Sequence, residues 1–144
     1  MDKIVFGHSV SGIDELTALL TALGNVDEAK MALENGLRIA ASRIKETAKD
    51  LCPVDTGRLQ NSIEVEDLPD DGSVVGVKIA PHTEYAVYVE YGTGRKGDPS
   101  VPHREDWKGQ APQPYMYPAL KAHEKEIPGY VKNALQVAIN KHRG

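Results

Sequence analysis

Apolar side chains in the first third of the chain recur at steps of three and four residues, the spacing of one face of a helix. Ile13, Leu16, Leu19, Leu20 and Leu23 form one such stripe, with Ser9 or Ser11 placed to cap its start and Gly24 to close it. Asn25 offers the next N-cap, and Asp27 and Glu28 follow in the first turn, where the helix dipole favours acids. Leu33, Leu37, Ala40, Ile44, Ala48 and Leu51 continue as a single stripe, so the pattern predicts one long helix ended by Cys52 and Pro53. Gly36 costs this helix about 1 kcal/mol relative to Ala, which marks its middle as a place for a kink or a close contact. A short strand over Lys3 to Gly7 precedes both helices.

The period then changes from helical to alternating. Ile63 and Val65 alternate with Glu64 and Glu66, the stretch DLPDDGS supplies a turn, and Val75, Val77 and Ile79 alternate with Gly76 and Lys78. This predicts an antiparallel hairpin, Ile63 to Asp67 with Ser73 to Ala80, that buries one face. Tyr85, Val87 and Val89 suit a strand, whereas Tyr85, Tyr88 and Val89 suit a helical face ended by Gly92; the short helix is the preferred reading. Gly92 to Pro114 is rich in Gly, Pro and mixed charge and predicts a long mobile loop. A helix resumes at Pro118 with Ala119, Leu120 and Ala122, is interrupted at Pro128 and Gly129, and continues through Val131, Leu135, Ala138 and Ile139. The expected fold is therefore α+β, a single domain over residues 1–144. Its small antiparallel sheet is covered by the long helix of the N-terminal half and by the C-terminal helix. Leu37, Ile44, Leu51, Val75, Val77, Ile79, Leu120 and Leu135 are the expected core.

Composition narrows the function classes. A length of 144 residues allows one core, and 40% hydrophobic with 26% charged residues is globular. No apolar run approaches the roughly 18 residues that cross a bilayer, and MDKIVFGHSV has no apolar signal core, so no membrane role is expected and the chain is expected to stay where it is made. The single Cys52 makes no internal disulfide. A net charge of −4 gives no general attraction to nucleic acid or anionic membrane. The charge is unevenly spread, however. Glu64, Glu66, Asp67, Asp70, Asp71, Glu84 and Glu90 are answered between Ile63 and Glu90 only by Lys78, whereas Lys121, Lys125, Lys132, Lys141 and Arg143 outweigh Glu124 and Glu126 toward the C-terminus. Two solvated faces explain this, as does a head-to-tail meeting of unlike ends in neighbouring copies.

Catalytic and cofactor signatures are missing from the sequence. His8, His82, His103, His123 and His142 are dispersed, with no partner at metal-ligand spacing, and no phosphate-binding glycine motif or nucleophile elbow occurs. Cys52 at a helix end beside Pro53 reads as a small buried side chain rather than a nucleophile. Asp70 and Asp71 beside Gly72 read as turn formers. No enzyme, metal or cofactor is expected.

Three segments carry more information. PVDTGRLQNSI at Pro53 to Ile63 joins the long helix to the first strand: Pro53 stops the helix, Asp55 and Thr56 can accept backbone N–H bonds, Gly57 allows a tight path, and Arg58 can reach Asp55 or a partner carboxylate. YAVYVEYGT follows at Tyr85 to Thr93, with Glu90, Gly92 and Thr93, and QPYMYPAL at Gln113 to Leu120, with Pro114 and Pro118. In order and rough spacing these three segments resemble a family of small phage neck proteins typified by gene product ten of an HK-type lambdoid phage, and the resemblance extends over almost the whole chain. It implies a structural virion protein of a long-tailed bacteriophage or prophage, at the head-tail junction or upper tail, assembling as a ring of cyclic symmetry. Implied partners are other copies of itself and connector, head-closure, tail-tube or terminator proteins, with DNA passing through the ring without specific binding. Synthesis in the bacterial host cytoplasm and residence in the virion follow from the same resemblance.

Within the Gly92 to Pro114 stretch, GRKGDPSVPHREDWKGQAP departs from the brief link of that family. Arg95, Arg104 and Trp107 are its candidate interface residues, since Trp and Arg often dominate binding. A second reading is a non-enzymatic regulatory or nucleic-acid-binding module using Arg95, Lys96, Arg104 and Lys108 with Trp107 as a stacking residue. Asp98, Glu105 and Asp106 reduce the net charge of that stretch to about one positive unit, which is poor for binding by counterion release.

Overall fold

The computed structural model describes residues 9–10, 12–53, 57–68, 75–83, 85–92 and 111–143. The expected strand at Lys3 to Gly7, the turn acids Asp70 and Asp71, and most of the expected loop lie outside the described residues. In chain order the elements are α1 (Asp14–Leu23), α2 (Val26–Leu51), α3 (Arg58–Ser62), β1 (Glu64–Asp67), β2 (Val77–Ala80), α4 (Ala86–Tyr91), α5 (Met116–His123), a 3-10 turn (Glu124–Glu126) and α6 (Ile127–Arg143). The class is α+β, mostly helical with one antiparallel two-stranded sheet. The chain divides into two compact units, one drawn from His8–Arg43, Val65–Lys78 and His123–Gly144, the other including Ile44–Glu64 and Ile79–Ala122.

The first of these units is built on helices. Leu20, Ala29, Ala32, Val131, Leu135 and Ile139 form its buried cluster, flanked by partly buried Val10, Ile13, Leu16, Leu19, Leu33, Leu37 and Ala138. Helix α1 starts without the expected serine cap: Ile13 occupies the N-cap position, no side chain caps the end, and Asp14 and Glu15 supply the favourable first-turn charge instead. Asn25 does cap α2, its Oδ1 accepting the Glu28 N–H at 2.9 Å. The centre of the buried stripe of α2 is made of small residues, Ala29, Ala32, Gly36 and Ala40, with Leu33 and Leu37 on its borders. Small side chains let another backbone come close. A Cβ on Gly36 would stand 2.6 Å from Val131 Cα and 3.0 Å from the Tyr130 carbonyl oxygen, so Gly36 is the crossing point of α2 and α6. The sequence left a kink or a close contact open at this position, and the close contact is what occurs.

Beyond Ala40 the buried positions of α2 advance to Ala41, Ile44 and Ala48, and the stripe steps by four from Ala32 to Ala48. In a helix of 3.6 residues per turn each such step turns the buried direction by about 40°. Leu51 is therefore carried out of the buried face and is 47% exposed, contrary to its expected place in the core. Of the other expected core residues, Ile44 and Leu135 are buried, while Leu37, Val75, Val77, Ile79 and Leu120 are half-buried. The strands are shorter than expected, Glu64–Asp67 and Val77–Ala80, and just before β2 the Gly76 carbonyl accepts the Leu68 N–H at 3.0 Å. Neither strand contains a fully buried residue, and Ile63 just before β1 is fully buried in their place.

Two corrections concern helix ends. Residues Arg58 to Ser62, expected to form a plain corner, make the five-residue α3 behind Gly57, whose φ of 76° lies in the left-handed region that glycine occupies without strain. Pro128 and Gly129 do not interrupt a helix; they lie in the first turn of α6, where the missing proline N–H has no intrahelical partner to lose. The break falls earlier, at the 3-10 turn Glu124–Glu126.

Candidate functional site

In the second unit the three sequence segments meet. Helix α4 forms as the preferred reading of Tyr85 to Tyr91 expects, and Ala86, Val87 and Glu90 lie on its buried side because positions four and three apart share a helical face. Gly92 ends it with a φ of 75°, a conformation that only glycine adopts freely. Glu90 is 3% exposed and is the one charged residue among the buried side chains of the described residues.

The Glu90 carboxylate is used by a different helix. Its Oε2 accepts the Tyr115 N–H at 2.7 Å and the Met116 N–H at 3.0 Å, and its Oε1 accepts the Tyr117 N–H at 2.9 Å. These are the N-cap and first two residues of α5. An α-helix leaves its first N–H groups without internal partners. Glu90 satisfies three of them, and the next residue, Pro118, has no N–H to satisfy. The first internal bond follows at once, from the Ala119 N–H to the Tyr115 carbonyl at 3.4 Å. A negative carboxylate at the positive end of α5 adds favourable electrostatics to charge-assisted hydrogen bonds.

Residues 113–117 are tied to α4 along their length. The Gln113 N–H donates to the Val89 carbonyl at 2.8 Å, and the hydroxyl of fully buried Tyr115 donates to the Ala86 carbonyl at 3.2 Å. Burial holds that hydroxyl neutral far above the ordinary tyrosine range, helped by the Glu90 charge and then by Cys52 and Tyr85. Burial also raises the Cys52 thiol, with Glu90 the second cause. Cys52, Glu90 and Tyr115 belong to the same unit.

The Pro53 to Ile63 segment attaches through α3. Gln60 donates from Nε2 to the Lys49 carbonyl at 3.0 Å, Ser62 Oγ donates to the Leu59 carbonyl at 2.7 Å, and the His82 N–H donates to Ser62 Oγ at 3.1 Å. Leu59 and Ile63 are buried beneath these bonds. The Arg58 guanidinium stands over the Tyr85 ring at 5.7 Å from its centre, a cation–π contact that joins the first and second segments.

The structure thus brings together Gly57, Arg58, Tyr85, Glu90, Gly92, Gln113 and Pro118 in one unit. Pro53 is half-buried after α2, and Gln113 and Pro114 are exposed. Asp55, Thr56, Thr93, Arg95, Arg104 and Trp107 lie outside the described residues, as do Lys96 and Lys108 of the nucleic-acid reading. Sequence reasoning missed Tyr115 and the role of Glu90. Its available signal was an acid on the same helical face as Ala86 and Val87. The acidic stretch is also less free than its residue list implies, since Glu90 is internal, Glu66 pairs with Lys78 at 3.3 Å and Asp67 pairs with Arg38.

Residues 13–92 match the family described as "Bacteriophage HK97-gp10, putative tail-component". The match covers more than half of the chain, from the start of α1 to the glycine that closes α4, and the chain belongs to this family of phage tail components. No curated protein and no solved structure matches it. Among the described residues no helix is long and apolar enough to cross a membrane.

Proposed function

We propose that this family member is a structural, non-catalytic subunit of the neck or upper tail of a long-tailed phage or prophage, and that its copies close a ring of cyclic symmetry in the virion. The observation that carries the reading is the family match over α1 to α4. A ring requires two different patches per subunit. The exposed basic residues of α6, Lys132, Lys141 and Arg143, supply one candidate patch, and the acidic hairpin, with exposed Glu64, supplies the other. Interfaces between exposed charges weaken with salt, so ring formation is expected to fall as ionic strength rises. Neighbouring connector, head-closure, tail-tube or terminator proteins would bound the ring, and DNA would pass through it without sequence-specific contacts.

Sedimentation and negative-stain imaging at high protein concentration test this, alone and with isolated phage heads. Rings, or heads that take up the protein, are the expected outcome, and charge reversal of Lys132, Lys141 and Arg143 together should reduce either one. A monomer at every ionic strength that also fails to join heads would overturn the reading.

A further inference from the structure

Helix α6 shows solvent a face unlike that of the other long helix. Val131, Leu135 and Ile139 are its buried side. On the opposite side, at steps of four and three residues, run Glu126, Tyr130, Asn133, Val137 and Asn140. Asn133 and Asn140 are exposed, Val137 is 48% exposed, and Gln136 beside them donates from Nε2 to Asn140 Oδ1 at 2.9 Å. From Tyr130 to Asn140 this ridge carries no charge; the helix holds no acid at all, and Lys132, Lys141 and Arg143 flank the ridge. The solvent face of α2, by contrast, carries Asp27, Arg38 and Arg43. A solvated helix face ordinarily carries charge, whereas a patch that meets another protein is depleted of charge at its centre and keeps it at the rim.

We infer that this ridge pairs with the same ridge of a second copy, as two antiparallel α6 helices about a twofold axis. The charges choose both the occupant and the direction. Glu126, whose Oε2 meets His123 at 3.0 Å and whose side chain stays 54% exposed, ends the ridge on one side; exposed Lys141 and Arg143 end it on the other. Lys125 lies a third of a turn from Glu126 in the 3-10 turn, off the ridge. Antiparallel copies set Lys141 and Arg143 of each against Glu126 of the other at both ends, whereas parallel copies would set bases on bases and acid on acid. In the antiparallel register Asn133 of each copy faces Val137 of the other, and Tyr130 faces Asn140, so the polar residues of the seam fix one alignment. A helix of 17 residues is about 25 Å long, and one pair of them buries about 1,200 Å² or less, the low end of specific interfaces. The pair is therefore weak, and salt opens it. It engages Lys141 and Arg143, bases of the proposed ring patch, so pairing withholds that patch until assembly. The inference concerns the subunit in solution and does not rest on ring formation.

Sedimentation equilibrium of the full chain at low salt, from micromolar to millimolar protein, tests this and should show a reversible dimer that salt dissociates. Val137→Lys, at a position outside the core, should weaken the dimer on the order of tenfold, because a twofold axis counts each change twice. Glu126→Lys should weaken it similarly by placing like charges at both ends. Adding Lys141→Glu and Arg143→Glu to that variant makes each end unlike again and should restore the dimer, an outcome that damage to the fold does not produce. A chain that stays monomeric at every concentration would overturn the inference. So would a dimer that Val137→Lys leaves unchanged, or a triple variant that pairs no more tightly than Glu126→Lys alone. Rings or uptake by heads that persist in any of those cases leave the ring proposal standing, and a salt-sensitive dimer restored by the charge swap supports the pairing even where no ring forms.

Discussion

The two units solve the same problem with opposite chemistry. In one, helices α1, α2 and α6 bury an apolar cluster in which Leu20, Leu135 and Ile139 are fully enclosed and small residues on α2 admit the α6 backbone. In the other, the most constrained point is a buried ion, Glu90, whose value lies in three oriented hydrogen bonds and a helix end. Apolar contact is non-directional and tolerates a change of shape at nearly constant volume. A carboxylate that satisfies three buried donors has no such tolerance, because losing it leaves each donor without water or partner. The difference teaches that the tail-component fold is not uniformly forgiving: one half is specified by pattern and volume, the other by a single charged atom group.

The contrast breaks if conservative changes cost the same on both sides. Glu90→Ala should destabilise by about 3 to 5 kcal/mol, as expected for a buried charged group removed from its hydrogen-bonded partners. Glu90→Gln should still cost about 1.5 to 3 kcal/mol. In the apolar unit Leu135→Ala should cost about 3 kcal/mol, but Leu135→Met less than about 1.5. Urea unfolding of the four variants decides the matter, and a Glu90→Gln cost as small as that of Leu135→Met would erase the distinction.

Gly36→Ala sharpens it from the packing side. Helix propensity alone favours Ala by about 1 kcal/mol. A Cβ at 2.6 Å from Val131 Cα meets backbone, which cannot step aside, so the variant should instead lose about 2 kcal/mol. A stabilised Gly36→Ala protein would show that α2 and α6 do not cross so closely.

The smallest expected effect is on pH dependence. The folded chain holds the Tyr115 hydroxyl and the Cys52 thiol neutral above their ordinary ranges. As pH rises the unfolded chain loses these protons first, at about 8.5 for a thiol and about 10 for a phenol. The folded state then binds more protons, so stability is full below those values and declines as pH climbs toward the raised folded values. The slope is up to about 1.4 kcal/mol per pH unit for each group. Tyr115→Phe should lose about 1 kcal/mol at pH 8 through the missing bond to Ala86, and its deficit should shrink between pH 10 and 11. A deficit that stays constant would mean that Tyr115 ionises as readily folded as unfolded.

Helix periodicity made α1, α2 and α6 legible before any coordinates, because a stripe of Leu, Ile and Ala at three- and four-residue steps has one efficient way to leave water. Asn25 as a cap and Gly92 as a stop were legible for the same local reason: each acts on backbone a few residues away. The misreadings have a common origin in distance. Leu51 looked buried because a stripe was extrapolated along a helix whose buried face turns, and which direction is inward depends on what packs there. Ser9 and Ser11 looked like caps, yet Ile13 holds the N-cap position of α1, since the position of a helix start within a run of candidates follows from the docking of its apolar face. Glu90 was counted among surface acids because composition records charge and not enclosure; its role required Tyr115 to Tyr117 to be folded back onto α4, some 25 residues along the chain. Local spacing therefore determined where helices form and which side of them is apolar. The tertiary structure alone decided which backbone donors would be left over at a buried helix end, and so which single carboxylate had to meet them.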